Sequence, residues 1–309
     1  MTAEEIRELR QRRYNATVIS LQRINPDLMI LRVKPDFPRP PHQPGQYCTL
    51  GLGYWEPRVA GCQAETLAPG EETKVVRRAY SISCSILDAT GELLRIEETD
   101  WLEFYIVLVR ENPDGRVPAL TPRLFALQEG DRLQMGERIT GHYTLEPVRP
   151  TDTVIFLSTG TGEAPHNYMT WELLRRRHPG RIVSVCCVRY LRDLGYSAIH
   201  HELMKRYSNY TYLALATREP GITQKVYIQD LITSGALEER LGHPLDPANT
   251  HVFLCGNPKM IGVPTRDKQT GTTTYPSPTG VIEILEARGF QADVAAWKRK
   301  GNIHFEEYW

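Results

Sequence analysis

Two spacings of hydrophobic residues divide the chain into two halves. Between Ala16 and Glu146, short runs alternate apolar and polar residues or carry β-branched and aromatic side chains, with Pro and Gly between them. These runs predict six strands: Ala16 to Leu21, Met29 to Val33, Tyr47 to Leu52, Arg78 to Ser83, Glu103 to Val109 and Arg132 to Met135. Short strands separated by turn residues in this way predict a six-stranded antiparallel β-barrel.

After Pro150 the apolar runs lose their polar alternation. They are Thr153 to Leu157, Ile182 to Val188, Tyr212 to Ala216 and His251 to Leu254, and helical segments such as Tyr168 to Arg177, Ala198 to Tyr207 and Val281 to Arg288 separate them. Strands buried on both faces and joined by crossover helices have this pattern. We therefore expect two domains, with the barrel in residues 1–149 and a doubly wound parallel α/β sheet in residues 150–309.

Three segments stand outside these strands and helices. The first residues have a charged helical pattern in which Thr2 and Glu5 are spaced as in a capping box, and they lack the apolar stretch of a secretory signal, which predicts a cytoplasmic protein. Residues 54–74 and 263–279 are rich in Gly and Pro, together with Glu in the first segment and Thr in the second. Each is open to three interpretations: part of a docking surface, a contact with a neighbouring subunit, or an inert surface insertion, which we favour.

Composition excludes several function classes. Lys and Arg total 37 and Asp and Glu total 37, so the net charge is zero and lacks the broad positive field of nucleic-acid-binding proteins. The six cysteines form no CxxC pair, which excludes a zinc ribbon, a thioredoxin-type motif and a cysteine-ligated iron–sulfur cluster, so no metal is expected. Apolar runs all fall well short of the roughly 20 residues that span a bilayer, so no membrane insertion is expected.

Two turns in the second half indicate a nucleotide site. Ser158 to Pro165 (STGTGEAP) follows a predicted strand and precedes a helix, where glycines let backbone N–H groups approach a pyrophosphate. Pro165 stands where the usual dinucleotide fingerprint has its third glycine, so an ordinary strand-to-helix turn stays open. Cys255 to Met260 (CGNPKM) also follows a strand, and turns at the ends of neighbouring parallel strands face one crevice. Cys255 alone is more typical of a buried structural thiol.

The first half carries two candidate anion sites. On the predicted strand RAYS, Arg78 and Tyr80 share a face, so that a guanidinium can meet phosphate while a ring stacks on a flat ligand. The alternative is a surface arginine and a core tyrosine. In LTPRL, we predict that Thr121 caps a helix whose first residue is Pro122.

Cations follow the predicted strands of the second half. Arg189, Arg218 and Lys225 each stand near a strand end, and no acidic residue that would bind a ribose 2′-hydroxyl follows Val188. This pattern favours NADP over NAD, although surface cations are often only solvated.

Taken together, these motifs resemble those of the bacterial-type ferredoxin/flavodoxin–NADP reductase family. The resemblance runs along nearly the whole chain in order: PGQY at 44–47, RAYS at 78–81, LEFYIV at 102–107, LTPRL at 120–124, GTGEAP at 160–165, CGNPKM at 255–260 and EEYW at the C-terminus. It implies FAD bound by the barrel and NADP(H) bound by the α/β domain. It further implies electron transfer with a one-electron carrier, either ferredoxin or flavodoxin. A monomer is favoured.

The resemblance also implies roles for individual residues. For FAD these are Arg78 on the phosphates, Tyr80 on the isoalloxazine, Ser81 near N5, the backbone of Ile106, Val107 and Leu108, Thr121 on the pyrophosphate, and Tyr308 with Trp309 closing over the cofactor. For NADP they are Gly160 and Thr161 at the turn, Val188, Arg189, Thr217, Arg218 and Lys225 around the 2′-phosphate, and Asn257, Pro258 and Met260 beside the nicotinamide. The implied catalytic set is Tyr80, Ser81, Cys255 and Glu306, with Cys255 and Ser81 flanking the hydride path and Glu306 as a proton route.

Two rival functions remain open at this point. One is an NADPH-dependent reductase component that serves an oxygenase, free flavins or quinones. The other is a non-enzymatic flavin-binding subunit, which has little need for the nicotinamide motif CGNPKM.

Overall fold

The computed structural model describes residues 1–112 and 114–308, which form two compact units. The first unit comprises 1–84 and 94–142, and the second comprises 85–93 and the chain from 143 onward. An antiparallel sheet of six strands in the first unit and a parallel sheet of five in the second confirm the predicted fold class. The domain boundary at residue 149 stays a prediction.

The N-terminal helix begins as its sequence predicts. Helix α1 (Ala3–Arg13) starts with a capping box, in which the Thr2 hydroxyl accepts from the Glu5 N–H and the Glu5 carboxylate accepts from the Thr2 N–H. No residue of α1 is buried. The helix is held instead by Arg10, whose Nε donates to Glu56 Oε1 at 2.8 Å, and by the adjoining Tyr14, whose hydroxyl donates to the same carboxylate at 2.9 Å.

The first unit is built on an antiparallel sheet with the order β4-β3-β6-β1-β2-β5. The strands are β1 (Ala16–Asn25), β2 (Leu28–Pro35), β3 (Tyr47–Gly53), β4 (Val75–Ser81), β5 (Leu102–Val107) and β6 (Arg132–Met135). An antiparallel bridge between Ser83 and Glu103 joins its two edges, so the sheet closes into a barrel. Fully buried side chains such as Leu31, Leu50 and Phe104 fill the interior.

The second unit has the strand order of a doubly wound α/β fold. Helix α2 (Thr121–Leu124) belongs to the first unit. The elements of the second unit are β7 (Thr153–Thr159), α3 (Glu163–Arg175), β8 (Ile182–Val188), α4 (Ser197–Arg206), β9 (Tyr210–Ala216), α5 (Ile228–Thr233), α6 (Ala236–Leu241), β10 (Thr250–Gly256), α7 (Pro258–Ile261), β11 (Thr265–Arg266), β12 (Thr273–Thr274), α8 (Val281–Glu286) and β13 (Ile303–Glu307). The parallel sheet has the order β13-β10-β7-β8-β9, so the chain reverses its direction of growth between β7 and β10. Ligands of such folds bind at the carboxyl ends of the strands beside this reversal.

Both faces of the parallel sheet are covered. Ile155, Val183 and Val252 belong to a buried cluster with apolar residues of α5, α6, α7 and α8. Alternation sends Phe156 and Phe253 to the other face. There the ring of Phe156 stacks on His166 of α3 at a centroid distance of 4.9 Å. Burial on both faces explains why these strands lack polar alternation.

In the part of the chain that the structure describes, no helix is long and apolar enough to cross a membrane. No group of three or more His, Cys, Asp or Glu side chains among residues 1–112 and 114–308 is arranged to hold a metal ion. The six cysteines are free thiols, and Cys62 is the one that is partly exposed.

Two buried histidines are expected to make the stability of the second unit depend on pH. Burial lowers the pKa of both His166 and His304 to about 3, from an ordinary value of 6.5. Between these two pH values the unfolded chain binds more protons than the folded chain. The contribution of each histidine to the free energy of unfolding is therefore fully present above pH 6.5 and decreases as the pH falls. We expect a slope of about 1.4 kcal/mol per pH unit for each histidine.

Urea unfolding between about pH 7 and about pH 5 measures this slope. In the variant His166→Phe, the slope should decrease by the contribution of one histidine. The variant His201→Gln, at an exposed position, should keep the full slope. An unchanged slope in His166→Phe would mean that His166 binds its proton equally in the folded and unfolded states.

Candidate functional site

The edge strand β4 carries the predicted phosphate and ring contacts. Arg78 is exposed and its Nη1 donates to the carbonyl of Arg77 at 2.7 Å, while Tyr80 is half-buried. Burial raises the pKa of Tyr80, and the charge of Arg78 acts in the opposite direction, as expected for two side chains on one face. Ser81 follows and is buried. The guanidinium is therefore placed on an open edge where a ligand phosphate can reach it.

Strand β5 offers backbone groups at the other edge of the sheet. It pairs with β2 along its whole length, and the Ser83 to Glu103 bridge lies at its other side. Ile106 is buried and Val107 is 43% exposed. The predicted strand to Val109 is too long by two residues, although the Leu108 N–H still bonds the Asp27 carbonyl at 2.8 Å. Backbone groups at the end of an edge strand can hydrogen-bond a flat heterocycle.

The prediction that Thr121 caps a helix is wrong. Helix α2 begins at Thr121 itself, its N-cap is Leu120, and Pro122 is the second helical residue. The Thr121 hydroxyl accepts instead from the Val109 N–H at 3.1 Å, which ties α2 to the end of β5. An N-cap residue usually has β-region backbone angles and precedes the helix. Thr121 does not meet this condition, because even Leu120 before it already has helical backbone angles.

The segment 54–74 is anchored beside α2 rather than free in solvent. Arg123 of α2 is 2% exposed and forms an ion pair with Glu65, and it donates to the carbonyls of Ala119 at 2.6 Å and Tyr54 at 3.0 Å. The Val59 N–H bonds the Pro122 carbonyl at 3.0 Å. Sequence reasoning missed this anchor because no local pattern marks an ion pair between residues 65 and 123.

The two predicted turns of the second unit lie in direct contact. After β7, residues Gly160–Gly162 form a 3-10 turn that leads into α3, and α7 follows β10 through Asn257. A Cβ on Gly162 would lie 2.3 Å from the Cys255 carbonyl oxygen, and one on Gly256, where φ is +125°, would lie 2.2 Å from Thr159 Oγ1. Only glycine allows this approach. The Asn257 N–H also donates to Thr159 Oγ1 at 2.8 Å.

The three residues of CGNPKM that are predicted to lie beside the nicotinamide form the second turn. Asn257 is exposed and caps α7 by accepting from the Lys259 N–H at 2.9 Å, Pro258 is the first helical residue, and Met260 is buried. Thr161 of the first turn is half-buried. The structure thus brings these residues together at the carboxyl ends of β7 and β10.

Strands β8 and β9 end in two cations. The backbone ladder continues beyond the strands, since the Arg218 N–H bonds the Arg189 carbonyl at 2.8 Å and the Thr217 N–H bonds that of Val188 at 3.1 Å. The guanidinium groups of Arg189 and Arg218 are exposed, and neither has an ion-pair partner among residues 1–112 and 114–308. Lys225 is exposed in the loop that follows. Unpaired cations at this edge suit an anionic ligand.

A polar cluster forms where β10 and β13 end. Cys255 pairs with Glu306 in the register of these parallel strands, and the Tyr308 N–H bonds the Gly256 carbonyl at 2.8 Å. Burial raises the pKa of the Cys255 thiol well above its ordinary value, and the charge of Glu306 raises it further. Cys255 is therefore a thiol and not a thiolate. Strand β13 ends at Glu307, and Trp309 lies outside the described residues.

Sequence reasoning missed a tyrosine and a histidine beside this cluster. The hydroxyl of Tyr143 and Nε2 of His166 are 2.7 Å apart, and both residues are buried. Burial raises the pKa of Tyr143, and the charge of Glu306 adds to the effect. No signal in the sequence marks this pair, because an isolated tyrosine and histidine are ordinary core residues.

The chain is similar in sequence to known oxidoreductases. The oxidoreductase NAD-binding domain family matches residues 156–265. The flavodoxin/ferredoxin–NADP reductase of Escherichia coli is 36% identical over 167 residues, which are 52% of this chain and 63% of that protein. The enzyme of the same name from Buchnera aphidicola (subsp. Schizaphis graminum) is 25% identical over 96% of this chain and 98% of its own. The match thus spans less than two thirds of the first of these relatives.

A solved structure shares the fold along nearly the whole chain. The ferredoxin NADP+ reductase from Neisseria gonorrhoeae, determined with bound FAD and NADP, superposes with a TM-score of 0.66. The two sequences are 19% identical, and the superposition covers 95% of this chain and 97% of that chain.

Proposed function

We propose that the chain is a member of the ferredoxin/flavodoxin–NADP reductase family and an FAD-dependent reductase that moves electrons between NADP(H) and ferredoxin or flavodoxin. The observation that carries the proposal is the contact of the Gly162 turn with the Cys255 carbonyl, which joins two ligand-binding turns at the reversal of strand order. A flavin-binding subunit without enzymatic activity would not need a nucleotide site at that position.

The first unit has the groups that FAD requires. Arg78 on the open edge of β4 would bind a phosphate, Tyr80 on the same face would stack on the isoalloxazine, and Ser81 would bond near N5. The end of β5 at Ile106 and Val107, followed by Leu108, would bond the ring system through the backbone. Thr121 would contact the pyrophosphate from the start of α2.

The second unit has the groups that NADP(H) requires as substrate. The N–H groups at Gly160 and Thr161 would face the pyrophosphate, because a helix N-terminus follows directly. Arg189, Arg218 and Lys225 would bind the 2′-phosphate beside Val188 and Thr217. Asn257, Pro258 and Met260 would line the nicotinamide side.

When bound, FAD supplies the conversion between a two-electron hydride and single electrons. The chain's own task is to orient substrate and exclude water. Cys255 contributes a neutral thiol, since burial keeps it protonated. Glu306 would hold a proton at the end of β13. That Cys255 and Ser81 flank a hydride path, and that Tyr308 covers the cofactor, stay predictions.

The proposal predicts a strong preference for NADPH over NADH that depends on Arg218. Charge-assisted contacts to phosphate contribute about 1.5–3 kcal/mol each, so Arg218→Ala should lower kcat/KM for NADPH roughly 10- to 150-fold and leave NADH activity nearly unchanged. Arg181→Ala is the matched control, because Arg181 is exposed at the opposite end of β8. Steady-state reduction of a dye acceptor measures both rates.

The identity of the carrier is tested in the same preparation. Reduced ferredoxin or flavodoxin forming faster than reduced free flavin or quinone supports the proposed carrier class, and the reverse order favours the oxygenase-type or quinone reductase. A colourless protein that FAD cannot reconstitute, or equal efficiency with NADPH and NADH in the wild type, would contradict the proposal.

A further inference from the structure

A glutamate joins the two loops that carry the arginines proposed to bind the 2′-phosphate. Glu219 follows Arg218 directly, and its Oε1 accepts from the N–H of Leu191, which lies two residues after Arg189. The glutamate is half-buried, whereas both arginines are exposed. Neither the sequence motifs nor the proposed ligand contacts include this carboxylate, so its role has to be inferred from its contacts.

The loop after β8 forms a short turn that is held from outside at one N–H group. Residues Leu191–Asp193 form a 3-10 turn. The Asp193 N–H bonds the Tyr190 carbonyl at 2.8 Å, and the Asp193 carboxylate accepts in return from the Tyr190 N–H at 3.2 Å. The Leu191 N–H stands at the first position of the turn, where a helical turn offers no acceptor of its own. Glu219 supplies that acceptor from the other loop.

The loop after β9 holds the backbone of Glu219 in place. The Ile222 N–H bonds the Glu219 carbonyl at 3.2 Å, and Gly221 between them has φ of +87°. Proline at the second position and a glycine with positive φ at the third are the features of a type II turn, and Pro220 occupies that second position. A residue before proline is also restricted to extended backbone angles. Glu219 is therefore a stiff anchor point.

The two arginines lie between two links that join the loops. On one side, the backbone ladder ends with the bond from the Arg218 N–H to the Arg189 carbonyl at 2.8 Å. On the other side, the Leu191 N–H bonds Glu219. With a link on each side, the two backbone segments cannot slide past one another without breaking a hydrogen bond. The exposed side chains of Arg189 and Arg218 thus start from fixed positions, which lowers the cost of bringing both guanidinium groups to one phosphate.

Two other roles for a carboxylate at this place make different predictions. An acidic residue beside a nucleotide site can bond the ribose 2′-hydroxyl of NAD. A negative charge beside a phosphate can also weaken phosphate binding. The bond to the Leu191 N–H favours a positioning role, because it already commits one oxygen of Glu219 to the protein backbone.

We propose that Glu219 is a positioning residue that sets the selectivity for NADPH by fixing the loop of Arg189 against the loop of Arg218. The inference rests on the proposed function, because the two arginines must bind the 2′-phosphate for their spacing to matter. Glu219 does not itself touch the phosphate. Its acceptor oxygen is the group that acts, and its charge is not required.

Two substitutions of Glu219 separate the acceptor from the charge. Glu219→Met keeps the length of the side chain and removes the acceptor, so KM for NADPH should rise about tenfold, the equivalent of one hydrogen bond, while kcat and the efficiency with NADH stay nearly unchanged. Glu219→Gln keeps an acceptor oxygen without the charge and should stay within about twofold of the wild type. Steady-state reduction of a dye acceptor by the FAD-loaded protein gives both constants.

Hydrogen exchange tests the structural part of the inference without a coenzyme. In the FAD-loaded protein, the Leu191 amide should exchange about tenfold faster in Glu219→Met than in the wild type, and Glu219→Gln should restore its protection. The matched control is Glu238→Met, which breaks a comparable bond from the Leu245 N–H to a carboxylate at 2.9 Å. This control should keep the wild-type preference for NADPH and the wild-type exchange of Leu191.

Several outcomes would overturn the inference. Wild-type KM and exchange in Glu219→Met would show that the link does not hold the loops. Equal losses in Glu219→Met and Glu219→Gln would show that the acceptor is not the acting group, and higher NADPH efficiency in both would show that the carboxylate repels the phosphate. If Glu219→Met does not fold, Glu219→Ala removes the same acceptor. These results leave the proposed function standing, whereas equal use of NADPH and NADH by the wild type would overturn both.

Discussion

An Arg123→Met variant is expected to lose about 3–5 kcal/mol of unfolding free energy, because it leaves a buried carboxylate without its counter-charge. Glu65, which pairs with Arg123, is 10% exposed and cannot regain full hydration while the segment 54–74 stays folded. The carbonyls of Ala119 and Tyr54 lose their donor at the same time. Urea unfolding followed by circular dichroism measures the loss.

Two comparisons show whether the loss comes from the unpaired charge. Arg116→Met removes an arginine whose side chain is 87% exposed and pairs with Asp114, so it should cost less than about 1 kcal/mol. The double variant Arg123→Met, Glu65→Met should recover much of the stability, since an apolar pair often replaces a buried ion pair without loss. A single-variant loss no larger than that of Arg116→Met would contradict the prediction.

Replacing Arg78 with Ala is expected to weaken FAD binding roughly 10- to 150-fold, the equivalent of one or more charge-assisted phosphate contacts. Arg78 makes no ion pair in the part of the chain that the structure describes, so its removal costs the fold little. The variant should therefore lose affinity for FAD, while its free energy of unfolding stays nearly unchanged. Fluorescence of released flavin gives the dissociation constant, and the flavin absorbance of the purified protein gives its occupancy.

The matched control is Arg77→Ala on the same strand. Arg77 points to the other face of β4, where its Nε contacts Gln134 of β6. This variant should purify as yellow as the wild type. Equal FAD affinity in Arg78→Ala and wild type would remove Arg78 from the proposed site.

Patterns confined to one element were enough to predict much of the fold. The buried run from Ile182 to Val188 has the bounds of β8, and Arg132 to Met135 has those of β6. Periodicity works there because neighbouring side chains along one strand face fixed environments. The glycine turn after β7 was predictable for a similar reason, since close backbone approach requires residues without a Cβ.

Contacts between distant residues left no such trace. Glu65 and Arg123 look like ordinary surface charges in the sequence, and only the packing of the segment 54–74 buries them. Glu163 lies within a motif that predicted a helix start, but its partner His200 comes from another helix of the same unit. Thr121 failed as a cap because the N–H of Val109, a distant residue in the chain, bonds its hydroxyl.

The contact between the Gly162 turn and the Cys255 carbonyl leaves these two turns no room to close further around a ligand. A site already in its bound shape loses little conformational freedom on association, so that more of the contact energy appears as affinity. The ordering cost then falls on the exposed side chains of Arg189, Arg218 and Lys225, at about 0.5–1.5 kcal/mol for each side chain immobilised. Preorganised backbone would thus set the affinity for the pyrophosphate, and the exposed cations would set the discrimination between the phosphorylated and unphosphorylated coenzymes.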